Sequence, residues 1–128
     1  MSETCELAVN GTLMRGLLLN PNLLSVGANF LETNQTSPEY RLWSIHDVHP
    51  AMIHFREGGA AIDVEIWEVP FAGLAKILLG EPSGLCVGKV KLIDGQEVLG
   101  VLGEPLLCEG QKEITNFGGW RHYTDSLQ

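Results

Sequence analysis

Asp63 and Glu65 stand two residues apart in Ala61-Ile62-Asp63-Val64-Glu65-Ile66-Trp67, and the apolar alternation of that segment puts both carboxylates on one face of a strand. If that face lines a pocket, the pair can raise each other's pKa far enough for acid–base work at neutral pH; the plainer reading is a solvated strand face. Glu81, between Gly80 and Pro82, lies on a loop, where functional groups concentrate and where surface glutamates are also common. Trp120 and Arg121 follow Gly118-Gly119. A guanidinium clamps a carboxylate or carbamate through two parallel N–H bonds, and the indole offers a rigid wall; the structural alternative is an arginine stacked on aromatics that locks the tail down. Arg15, Arg41 and Arg56 are secondary candidates. Gly11 ends the apolar run Leu7-Ala8-Val9 and lets the backbone turn sharply or approach a ligand closely.

Other chemistry finds little support. His46, His49 and His54 have no carboxylate or thiolate at a ligand spacing, and Pro50 lies between the last two, so no metal is expected. Cys5, Cys86 and Cys108 are odd in number, scattered and free of any CxxC pair, which suits reduced packing residues. Ser25, Ser37 and Ser83 lack a nucleophile-elbow context. A formal net charge of −8, with only eight Lys and Arg residues, opposes attraction to nucleic acid or an anionic membrane. No apolar run approaches the roughly 18 residues of a membrane span, and the N-terminus lacks a signal-peptide layout. The expectation is a cytoplasmic chain without cofactor, with a small molecule or another protein as partner.

The elements that must hold these residues are short. Gly and Pro punctuate the chain at close intervals without marking a boundary, so residues 1–128 read as one domain. Leu7–Val9, Ala28–Thr33 and Arg41–Ile45 have strand character, Asn22–Leu24 allows one helical turn, and Ala61–Trp67 reads as a half-buried strand. Pro70 opens a helix over Phe71–Leu79 that Gly80 stops. Val87–Ile93 and Glu97–Leu102 flank Asp94-Gly95-Gln96 as a hairpin. Five to seven strands and one clear helix predict an α+β fold, with a small mixed or antiparallel β-barrel or curved sheet and few flanking helices.

The tail Ile114-Thr115-Asn116-Phe117-Gly118-Gly119-Trp120-Arg121-His122-Tyr123 closely resembles the closing motif of allophanate hydrolase C-terminal domains, on a γ-glutamylcyclotransferase-like fold. Leu7 to Gly16, Tyr40-Arg41-Leu42, Gly58 to Ile62, Val64 to Pro70 and Gly88 to Leu92 extend the likeness in order along nearly the whole chain. The resemblance implies the decarboxylation of N-carboxycarbamate, a small anion, in urea- or guanidine-type nitrogen metabolism. An amidase domain usually precedes this one in that family; the expectation here is a stand-alone chain with a separate amidase subunit as an implied partner, and a homodimer is compatible with the sequence.

In γ-glutamylcyclotransferases a Tyr-Gly-Ser-Leu loop holds the substrate carboxylate through backbone N–H groups, and a glutamate moves the proton. Asn10-Gly11-Thr12-Leu13 resembles that loop, with Asn for Tyr and Thr for Ser, and Glu81 has a comparable place between helix and strand. Backbone capture of an anion tolerates such changes because it needs geometry rather than a particular side chain. Allophanate hydrolase relatives often have a histidine where this chain has Leu13, which removes any mechanism resting on that imidazole. The expected site has Asn10, Gly11, Thr12 and Leu13 cradling an anion beneath Arg121 and Trp120, with Glu65 or Glu81 managing protons. Its alternatives are a non-catalytic module that joins an amidase and a γ-glutamylcyclotransferase-type lyase.

Overall fold

A computed structural model describes residues 3–128. In chain order the elements are β1 (Thr4–Val9), α1 (Asn20–Ser25), β2 (Asn29–Gln35), β3 (Tyr40–Ile45), β4 (His49–His54), β5 (Asp63–Pro70), α2 (Phe71–Leu79), β6 (Leu85–Lys91), β7 (Glu97–Gly103), α3 (Pro105–Cys108), β8 (Lys112–Glu113), a 3₁₀ turn (Thr115–Phe117) and α4 (Trp120–Ser126). They form a five-stranded sheet of order β2-β5-β1-β7-β6 and a three-stranded sheet of order β4-β3-β8. The larger sheet is mixed, because β1 runs parallel to β7 and every other pairing in it is antiparallel. Both sheets are open, with β2 and β6 at the edges of the larger one. The fold is α+β as expected, and the closed barrel among the expected forms is not the one adopted.

Local signals placed several elements well. α2 covers Phe71–Leu79, and the hairpin joins β6 to β7 across Asp94-Gly95-Gln96, with Gly95 at φ 93°. Tertiary packing decided the rest. β5 is buried on both faces rather than half-buried: it lies between β2 and β1, with Val64 and Ile66 in a small cluster with Ala8, Leu92 and Val98. Trp67 and Val69 pack instead into the main core with Leu7, Val9, Leu23 and Trp120. β4 was hidden by Pro50, yet Pro50 sits on an edge strand, where the missing N–H breaks no central ladder.

The C-terminal segment is tied to the sheets at several points. Asp63 donates its backbone N–H to the Gly118 carbonyl at 2.8 Å, and Ile114 donates to the Leu42 carbonyl at 2.7 Å. Trp120 and Tyr123, one helical turn apart on α4, are both buried. The Tyr123 hydroxyl donates to Asp47 Oδ1 at 2.6 Å, an oxygen that also accepts from Ser44 Oγ at 2.6 Å. Asp47 stands at φ 59° in the turn between β3 and β4, so this turn serves as the latch for α4. The latch fixes the helix that carries Arg121.

Candidate functional site

Glu65 is 2% exposed, and its carboxylate is filled by donors from three parts of the chain. Oε1 accepts the Arg15 backbone N–H at 2.9 Å and the Trp67 indole N–H at 3.2 Å. Oε2 accepts Arg15 Nε and Arg121 Nη2, each at 3.2 Å. Burial pushes the acid upward, but the Arg15 N–H, the Trp67 indole and the two guanidinium groups outweigh it and hold the carboxyl below its usual range. A mutually raised Asp63–Glu65 pair is therefore not what forms. Glu65 is held as an anion at neutral pH, and its neighbours are arginines.

Those arginines face outward from it. Arg15 lies over the Phe30 ring at 3.7 Å from the centroid, and Arg121 Nη2 also donates to the Arg15 carbonyl at 2.7 Å. Their side chains are 50% and 45% exposed. Only Nε of Arg15 and Nη2 of Arg121 are engaged with side chains or carbonyls among the described residues, so most of the ten guanidinium N–H donors remain for a ligand. They open into a groove of about 680 Å³ that also includes Trp120, Asp63, Gln35 and His122. In this groove Asp63 accepts Gln35 Nε2 at 3.0 Å and lies 3.2 Å from His122 Nε2.

The expected Gly11 loop lines a different cavity, together with Glu81, His49, Pro50 and Leu85. Its volume is about 10 Å³, on the order of one water-sized sphere. A Cβ on Gly11 would sit 2.5 Å from Pro50 Cδ, so the close approach that glycine permits here is to the protein itself. Asn10 is buried and donates Nδ2 to the Val101 carbonyl at 2.9 Å, which pins the loop to β7. Leu13 belongs to the core, and its carbonyl accepts from Asn20 Nδ2 at 2.9 Å. Glu81 keeps Oε1 buried without a hydrogen-bond partner, and burial raises its carboxyl to about 7.

The structure thus joins Glu65 with Arg121 and Trp120 in one groove, and Glu81 with Asn10, Gly11, Thr12 and Leu13 in another cavity. It does not bring the two sets into one pocket. Arg15, a secondary candidate from sequence, proves to be an equal partner of Arg121. The Trp67 indole and Gln35 gave no signal as site residues; only the i, i+2 spacing of Glu65 and Trp67 on one strand face could have paired them. Among the described residues no group of three or more His, Cys, Asp or Glu side chains is placed to hold a metal ion. No helix among them is long and apolar enough to cross a membrane.

A mixed five-stranded sheet with peripheral helices and a glycine-centred first loop is the γ-glutamylcyclotransferase-like architecture. A solved γ-glutamyl cyclotransferase, 15% identical over 87% of this chain and 70% of its own, shares that fold with a TM-score of 0.55. The sequence profile of the allophanate hydrolase C-terminal domain matches residues 5–125, and the chain belongs to that family. A crystal structure of a protein specific to uropathogenic E. coli is similar at 56% identity and a TM-score of 0.95, over 98% of this chain and 99% of that one. Kluyveromyces lactis allophanate hydrolase is similar at 28% identity and a TM-score of 0.92, over 98% of this chain and 22% of that one. A urea amidolyase of Lachancea kluyveri is 29% identical over 98% of this chain, which spans 7% of that relative's length.

Two outcomes follow from the geometry. Glu65→Gln places an amide N–H₂ among four donors, and urea unfolding at pH 7 should show a loss of about 2 kcal/mol. The Glu65 contribution is complete above the ordinary carboxylate value of 4.5 and disappears as pH falls through the lower folded value, so the two stability curves should converge in acid. Gly11→Ala should cost about 1–3 kcal/mol in the same measurement, through overpacking against Pro50.

Proposed function

We propose that this chain binds a small carboxylate or carbamate of the urea or amide type in the Arg15–Arg121 groove, and that it serves urea- or guanidine-type nitrogen metabolism. The observation that carries the reading is the orientation of two half-exposed guanidinium groups by one buried carboxylate, with most of their donors left toward an open groove. Oriented guanidinium pairs suit planar oxyanions because their N–H fork matches carboxylate geometry. Relatives named urea amidolyase and allophanate hydrolase support the chemical class. Decarboxylation of N-carboxycarbamate, or a related C–N cleavage, is the reaction that family membership favours. Glu65 acts as the anchor of the arginines in this reading rather than as the proton carrier.

Glu81 supports a second reading, a γ-glutamylcyclotransferase-type lyase. Its Oε1 is buried, unpaired and beside the Gly11 loop, and a carboxyl near pKa 7 is poised for general acid–base transfer. The volume at that loop favours the first reading, because about 10 Å³ holds no γ-glutamyl group without rearrangement of Pro50 or Leu85. A filled Gly11 cavity also agrees with a non-catalytic module that associates with a separate amidase. The domain is embedded in much longer chains in the urea amidolyase and allophanate hydrolase relatives, which supports such a partner.

Malonate, a compact carboxylate mimic, should raise the melting temperature of the wild-type protein and lose that effect in Arg121→Gln. Equal stabilisation of the variant would remove the groove from the account. Glu81 supplies a separate check through pH. Its folded pKa lies near 7 against an ordinary value of 4.5, so ionisation of the unfolded chain drains stability as pH rises through that interval. Urea unfolding at pH 4.5 and at pH 7.5 should show Glu81→Gln gaining on the wild type at the higher pH. A constant difference would mean that Glu81 is not held protonated.

A further inference from the structure

Two arginines do not by themselves make the groove cationic. Arg15 and Arg121 are set against Glu65, Asp63 and Asp125, a formal charge of −1 with His122 neutral and of 0 with His122 protonated. The imidazole is held in place. Its Nε2 lies 3.2 Å from Asp63 Oδ2. Asp63 is pinned in turn: Gln35 Nε2 donates to its other oxygen at 3.0 Å, its backbone N–H donates to the Gly118 carbonyl at 2.8 Å, and a Cβ on Gly119 would come within 3.1 Å of Oδ2. With Nε2–H donated to Asp63, the neutral ring has only a lone pair at Nδ1, which engages none of the described residues. Protonation turns Nδ1 into a second N–H donor and leaves the first in place. Arg121 reaches Glu65 and His122 reaches Asp63, so the two groups stand over neighbouring same-face positions of β5, roughly 6.6 Å apart along the strand. Both line the same groove.

Resting on the proposed anion groove, we infer that His122 is a specificity residue that selects a dianion: one carboxylate lies on Arg15 and Arg121, and the second accepts Nδ1–H of the His122 imidazolium. Asp63 orients the ring and favours its charged form. Neutral His122 turns a lone pair toward the second carboxylate and repels it, so a dianion is held more weakly as pH rises. A monocarboxylate needs only the arginines. The charged groups around His122 in the groove are Asp63 of β5 and Arg121 and Asp125 of α4, with Arg15 and Glu65 further along; β2 and the β6–β7 turn add no charge to the lining. Carboxylate and guanidinium side chains ordinarily titrate well away from neutral pH, whereas imidazole titrates between about pH 5 and 8.

Isothermal titration at low salt with malonate and acetate, at pH 6 and at pH 8, tests the assignment, because the two ligands differ by one carboxylate. Malonate should bind about tenfold tighter at pH 6, the worth of one charge-assisted hydrogen bond, and acetate should bind equally at both. Protonation of malonate itself at the lower pH opposes this trend and cannot produce it. His122→Gln should bind malonate equally at both pH values with acetate unchanged, and its thermal midpoint without ligand checks the fold. Glu81 ionises in the same interval but lines the other cavity, so an effect of Glu81 would move both ligands alike and would persist in His122→Gln. If malonate binds equally at both pH values, if acetate shows the same trend, or if the trend survives in His122→Gln, the assignment of His122 falls and the arginine groove stands. If neither ligand binds at either pH and malonate gives no thermal stabilisation, the groove reading falls with it.

Discussion

A carboxylate almost wholly removed from water keeps its charge only when donors replace the lost hydration, and Glu65 receives four of them. Those donors come from the loop after β1, from β5 itself and from α4, so one side chain ties three distant segments to a single point. The arrangement works in both directions. The arginines keep Glu65 ionised, and Glu65 fixes where two flexible cationic side chains point. Phe30 beneath Arg15 and the Asp47–Tyr123 latch beneath α4 restrict the same two residues from the other side. A site built this way is oriented before any ligand arrives, which lowers the ordering cost of binding.

Packing divides what the chain order would have merged. The Gly11 loop follows β1 directly and Arg121 reaches Glu65 of β5 from α4, yet Pro50 from β4 packs against Gly11 while Arg121 lines the other cavity. The result is one wide polar groove and one nearly filled recess containing a protonatable glutamate. These differ in what they can do. The groove offers fixed charge for recognition; the recess offers a proton near neutrality with almost no room for a substrate.

Much of the fold was legible wherever the signal was local. Pro70 and Gly80 bracket α2, Gly95 makes the β6–β7 turn, and the Phe117 to Tyr123 tail carries the family. What was not legible depended on contacts between residues far apart in the chain. Alternation along Ala61–Trp67 showed two faces but could not show that the loop bearing Arg15 and the helix bearing Arg121 cover the charged one. For the same reason Glu65 read as a solvated or catalytic carboxylate, and its pKa was expected upward when the donors drive it down. Glu81 was placed on a loop from its Gly and Pro neighbours, and that much was visible; the burial of its Oε1 was not.

The central claim is that the Arg15–Arg121 groove, rather than the Gly11 recess, is where a small carboxylate sits. A crystal soaked with malonate tests it most directly. The expected result is density for one carboxylate within hydrogen-bonding distance of both guanidinium groups, with the Glu65 contacts intact. Malonate seated instead against Gly11, Thr12 and Glu81, with Pro50 displaced, would contradict it.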